Sequence, residues 1–154
     1  MSEANSPLFY LDDLHVGQRF VSAERTITAE QIKAFAREFD PQPFHLDEQA
    51  AKPTFFRGLA ASGWHTAALT MRLNLDGGLP LAGGVLGIGV DVAWKAPTRP
   101  GDVLHVESEV LEITPSQSKP DRGVVVVLGK TLNQNGDVVQ TSKASLLVFR
   151  RPAG

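Results

Sequence analysis

Asp40 and His45 stand five positions apart in the run Asp40-Pro41-Gln42-Pro43-Phe44-His45-Leu46-Asp47. A carboxylate and an imidazole held close together can move protons near neutral pH. The neutral ring accepts a proton and the charged ring returns it, while the carboxylate orients a water or shares the proton traffic. Two prolines stiffen the turn between them. A second group of interest is Ser62-Gly63-Trp64, where a serine ahead of an apolar run marks a helix start. The backbone N–H of Gly63 would then sit at the positive end of a helix dipole. The spacing of Asp40 and His45 alone also fits a helix stop followed by a surface histidine, so the surrounding elements must decide.

Those elements are legible in the chain. Thr28 and Gln31 have capping-box spacing, and Ile32, Phe35, Ala36 and Phe39 follow at helical intervals. This predicts a helix from Ala29 to Glu38 that Asp40-Pro41 terminates, since a proline disfavours helical geometry in the residue before it. Asp47 is placed to cap a short turn through Ala51, which leaves His45 in a turn between helices. A second helix is expected from Gly63 to Leu75, apolar on most of its circumference and therefore buried against something large. Asp76-Gly77-Gly78-Leu79-Pro80 breaks it.

From Val85 onward the chain reads as strand: Val85 to Lys95, Asp102 to Ile113, Gly123 to Leu132 and Val138 to Phe149, with Asn133 to Asp137 as a hairpin turn. An earlier strand over Gln18 to Ile27 makes five. Gly87 and Gly89 do not lead from a strand into a helix, so they are no nucleotide loop and are expected to ease a bend. One apolar helix followed by an antiparallel meander predicts an α+β fold of a single domain over 1–154, core about 11–149, with the sheet curled around the helix in the hot-dog manner.

Composition bounds the function. The 154 residues contain no cysteine, so disulfides, thiolate catalysis and cysteine-held zinc or iron–sulfur sites are excluded. The net charge is -2 and the basic residues are scattered, which argues against a nucleic-acid footprint. Met1 to Leu8 lacks a signal-peptide pattern and no stretch has membrane-spanning length, so a cytoplasmic protein without a membrane partner is expected. His15, His65 and His105 read as structural, interface or surface residues.

The run from Asp40 to Asp47, with Phe55-Phe56, Ser62-Gly63, Lys95-Ala96-Pro97 and Arg99-Pro100-Gly101-Asp102, resembles the MaoC-like dehydratase family, which includes (R)-specific enoyl-CoA hydratases. The similarity extends over about Leu11 to Phe149. It implies a hot-dog fold and reversible hydration of an enoyl thioester, with Asp40 and His45 as the catalytic pair and Gly63 as oxyanion donor. Ser62, Gln42 and Trp64 are implied to line the substrate, and Arg57, Lys95 and Arg99 are candidate contacts to coenzyme A phosphates. Coenzyme A enters as part of the substrate, and no metal or redox cofactor is required. A homodimer or a dimer-based oligomer is implied as well.

Two departures stand out. Gln42 replaces the family's usual asparagine, and Ser62-Gly63-Trp64 stands where His-Gly-Met is common, which puts an indole near the acyl pocket. Two other readings remain open at this point. A hot-dog thioesterase would often carry a carboxylate on the central helix, and Gly63 to Leu75 has none. A non-catalytic acyl-CoA-binding subunit is the other, because a fold does not fix a function.

Overall fold

The computed structural model describes residues 7–153, so the N-terminal expectation, read on Met1 to Leu8, falls mostly outside them. The strands are β1 (Arg19–Val21), β2 (Arg25–Thr26), β3 (Leu86–Trp94), β4 (Val103–Pro115), β5 (Arg122–Leu132) and β6 (Val138–Phe149). They form an antiparallel sheet in the order β1-β4-β5-β6-β3, with β2 also on β4. The helices are α1 (Ala29–Phe39), α2 (Pro43–Leu46), α3 (Glu48–Ala51) and α4 (Gly63–Leu73). This is the α+β hot-dog arrangement, an antiparallel sheet with α4 as its central helix. No helix among the described residues is long and apolar enough to cross a membrane.

Local chemistry sets most boundaries. Thr28 accepts from the Gln31 N–H at 3.1 Å while the Gln31 side chain takes the Thr28 N–H at 3.0 Å, so the capping box forms in full. In β4, Leu104, Val106, Ser108 and Val110 are buried and alternate with more accessible residues, the period of a strand with one covered face. A register shift between Gly87 and Gly89 is the bend expected there, and Gly136 at φ 81 closes the turn after β5.

Two expectations need correction. The early strand is two short ones, because Ser22 lies between them and its hydroxyl, at 2.8 Å, accepts the Val106 N–H of β4. The side chain thus takes a hydrogen bond that a continuous ladder would assign to a carbonyl. The apolar girth of α4 is not all enclosed: His65, Thr66, Thr70 and Leu73 are buried, whereas Trp64 and Met71 are exposed. The buried hydroxyls are satisfied by the sheet side. Thr66 donates to Thr98 at 3.0 Å, and Thr70 meets Thr131 at 2.7 Å and Gln140 at 3.2 Å. Polar pairing therefore turns this face inward, and Trp64, Ala67, Thr70 and Met71 line a cavity of about 380 Å³ opposite Ile88, Val90 and Val92 of β3. The helix also ends at Leu73 and passes into a wide turn over Asn74–Gly78, where Gly77 has φ 115.

Candidate active site

Three segments meet at the site: the end of α1, the turn α2, and the strap from Phe56 to Ser62 that leads into α4. Ile32 of α1 packs with Ile27, Leu59 and Ala61 in one buried cluster, which seats the helix against the strap. The Asp40 N–H closes on the Ala36 carbonyl at 2.9 Å, and the chain then turns through Gln42. His45, expected in a turn between helices, lies within the single helical turn α2 and is 4 % exposed. Its backbone N–H donates to the Gln42 carbonyl at 2.9 Å.

The imidazole is fixed from two sides. Nδ1 lies 2.7 Å from the Ala60 carbonyl oxygen, which can only accept, so Nδ1 carries the hydrogen. In the neutral ring Nε2 is then the bare nitrogen, and it faces Asp40 Oδ2 at 3.4 Å. A lone pair and a carboxylate oxygen at that separation are two acceptors, a setting that suits a water donating to both or a proton residing on the ring. Phe44 packs edge-on to the imidazole with centroids 4.6 Å apart, and Phe56 lies 6.0 Å away.

Burial alone would raise the Asp40 carboxyl. The Gln42 hydrogen bond and the nearby Ser62 hydroxyl, with His45 alongside, outweigh it and hold the group below its ordinary value. The Gln42 amide reaches Asp40 Oδ1 at 2.5 Å, so the longer side chain at this position still lands on the carboxylate. Ser62 is also the N-cap of α4: its hydroxyl takes the Trp64 N–H at 3.3 Å and its carbonyl those of His65 and Thr66. The N–H of Gly63 is thereby left without an acceptor among the described residues, at the positive end of the helix.

Packing explains why position 63 is glycine. A Cβ there would come within 2.6 Å of the Trp94 indole, so the missing side chain is filled by that ring. Trp94 is held by Gln140, whose Oε1 accepts the indole N–H at 2.9 Å, and by Trp64 edge-on at 5.1 Å. Trp64 itself is 62 % exposed and lines the apolar cavity, which neither Asp40 nor His45 lines. Asp40, Gln42, His45 and Ser62 are thus together, with Gly63 adjoining and Trp64 on the far side. Arg57 and Lys95 are exposed. Arg99 is turned to the strap, donating to the carbonyls of Phe56, Gly58 and Leu59. The Ala60 carbonyl, Trp94 and Gln140 carried no signal in the sequence. Asp47 caps α3 through the Ala50 N–H at 2.8 Å, as its position suggested. No three His, Asp or Glu side chains among the described residues gather where a metal could be held.

The model of the MaoC like domain matches residues 14–134, which takes in Asp40, Gln42, His45, Ser62, Gly63, Trp64 and Trp94. The chain belongs to the MaoC-like domain family. A solved MaoC-like dehydratase from Rhodospirillum rubrum is 61 % identical and superposes with a TM-score of 0.93, covering 94 % of this chain and 99 % of that one. Among curated relatives, the uncharacterized protein YdeM of Bacillus subtilis is 32 % identical over 91 % of this chain and 99 % of its own length. A 3-hydroxybutyryl-CoA dehydratase of Methylorubrum extorquens is 29 % identical over 96 % and 95 %. An (R)-specific enoyl-CoA hydratase of Rhodospirillum rubrum is 27 % identical over 98 % and 99 %. Within this MaoC-like chain, the two departures noted in the sequence fall at different places: Gln42 touches the Asp40 carboxylate, and Trp64 borders the cavity.

Proposed function

We propose that this MaoC-like protein is a hydro-lyase that adds water reversibly across the 2,3 double bond of an enoyl-CoA, giving a 3-hydroxyacyl-CoA of R configuration. The observation that carries the reading is the pair itself: an ionised Asp40 facing the bare Nε2 of a His45 whose other nitrogen is tied to the Ala60 carbonyl. A water donating to both acceptors is aligned to attack the β-carbon. One of its protons passes to the pair, and the pair returns a proton to the α-carbon. Charge that develops on the thioester oxygen is met by the Gly63 N–H. Carbon is neither oxidised nor reduced overall, so the reading calls for no redox cofactor. Names of relatives at 27 % and 29 % identity point the same way.

Trp64 and Trp94 form an aromatic wall beside Gly63, and the cavity next to it is the candidate site for the acyl chain. The reading includes a second copy of the chain. β3 ends the sheet with an unpaired edge and exposes Leu86, Ile88, Val90 and Trp94, an arrangement that invites pairing. A monodisperse monomer in light scattering at micromolar concentration would overturn that part.

The deciding experiment follows the loss of enoyl absorbance with crotonyl-CoA and a panel of longer and branched enoyl-CoAs, for wild type, Asp40→Asn and His45→Gln. Turnover by wild type, lost in both folded variants, is the expected result. Release of free thiol in place of hydration would establish the thioesterase reading, and tight binding without turnover would establish the binding subunit.

A further inference from the structure

Arg99 lies in the corner between β3 and β4, away from the proton-transfer pair, yet the strap that orients His45 is fastened to it. Nη2 donates to the Phe56 carbonyl at 2.6 Å, and Nη1 donates to those of Gly58 and Leu59 at 3.1 and 3.2 Å. The corner that carries the guanidinium is itself fixed. The Arg99 N–H donates to Asp102 Oδ2 at 2.8 Å, and Gln134 donates to the other oxygen of this buried carboxylate at 3.0 Å. Next door, the Thr98 carbonyl takes the Ala61 N–H at 2.8 Å.

The strap's other side holds the α2 turn. The Ala60 N–H donates to the Phe44 carbonyl at 3.0 Å, and the Ala60 carbonyl accepts from His45 Nδ1 at 2.7 Å. Residues 56–60 belong to no strand, so their carbonyls have no ladder to satisfy them. The strap also contains Arg57 at φ 58, a left-handed conformation that costs a residue with a side chain and persists only when the surroundings enforce it. A planar guanidinium that spans three carbonyls is suited to enforce it in a way that a single ammonium is not.

We propose that Arg99 is a positioning residue for His45: its guanidinium holds the Leu59–Ala60 peptide and its corner, through the Thr98 carbonyl, holds the Ala60–Ala61 peptide, so the Ala60 carbonyl is aimed at His45 and selects the Nδ1–H form that leaves Nε2 bare toward Asp40. This rests on the hydratase reading for its kinetic consequence but not for its structural one. It also assigns the guanidinium to the strap and away from the coenzyme A phosphates.

The test compares wild type, Arg99→Gln and Arg99→Lys by kinetics on crotonyl-CoA across pH and by long-range proton–nitrogen NMR of the histidine rings. In wild type the His45 spectrum should report hydrogen on Nδ1. In Arg99→Gln it should become a mixture of tautomers, the pH profile should move, and kcat should fall by about 10- to 100-fold. KM should change by less than about two-fold, with partial recovery in Arg99→Lys. An unaltered His45 spectrum and pH profile in the folded variant would overturn the proposal. So would a raised KM at constant kcat, which would make Arg99 a contact to substrate phosphate. If wild type turns over no enoyl thioester, the hydratase reading fails while the spectra still decide the role of Arg99. If Arg99→Gln does not fold, Arg99→Lys carries both measurements, and wild-type behaviour in it overturns the proposal.

Discussion

His45 and His65 are buried almost equally, 4 % and 8 % exposed, and both lie against phenylalanine rings. Their nitrogens meet different surroundings. His45 has a carbonyl on Nδ1 and a carboxylate before Nε2. His65 stacks flat on Phe35 of α1, with centroids 4.7 Å apart and planes 6° from parallel, and its buried Nδ1 has no partner among the described residues. Burial pushes the pKa of His65 down, with no charge beside it to restore it. A buried imidazole among aromatic rings is therefore not a mark of acid/base chemistry; what distinguishes His45 is that each nitrogen has an assigned partner.

The largest expected effect breaks or upholds this contrast directly. His45→Gln should lower kcat/KM for a hydrated enoyl-CoA by about 10²- to 10⁴-fold, the usual range for loss of a general acid/base, whereas His65→Gln should stay within about three-fold. Equal losses would dissolve the contrast. The next effect concerns the start of α4. Gly63→Ala drives a methyl group into the Trp94 ring and should cost about 1–3 kcal/mol in chemical denaturation, with lower activity. Adding Trp94→Leu should recover much of that stability, and additivity of the two changes would sink the packing account.

Thr28→Ala removes the cap of α1, the helix that carries Phe35 to His65 and ends at Asp40. A loss of about 1 kcal/mol with kcat unchanged is expected; a large fall in kcat would mean that both histidine sites depend on how firmly α1 is held. The smallest effect is a pH dependence that His65 contributes. Its folded-state pKa lies below the ordinary 6.5, so the unfolded chain takes up the proton first. Its contribution is complete above 6.5 and is lost as pH falls through the folded value. The Asp40 shift, below an ordinary value of 3.8, acts only at much lower pH. Thermal midpoints measured between about pH 7.5 and 5.5 should fall less steeply in His65→Gln than in wild type, and parallel curves would count against the assignment.

Much of this was readable before any coordinates. Caps, proline stops and alternation act between residues a few positions apart, which is why Thr28 with Gln31, Asp47 with Ala50, and the faces of β4 match their sequence signals. The pairing of Asp40 with His45 is of this kind too, being one turn closed by its own backbone. The early strand was misread because Ser22 bonds to β4 through a side chain, a choice that depends on Val106. The girth of α4 was misread because Thr66 and Thr70 are drawn inward by Thr98, Thr131 and Gln140.

By itself the sequence determined that Asp40 and His45 share one turn, where the helices begin, and that an antiparallel sheet follows an apolar helix, since each depends on short-range sterics and periodicity. Only the tertiary structure decided that the Ala60 carbonyl selects the tautomer of His45, that Trp94 occupies the space beside Gly63, and that Arg99 serves the strap. Those contacts join segments distant in the chain, and the direction of a carbonyl or an indole is set by packing that no local pattern encodes.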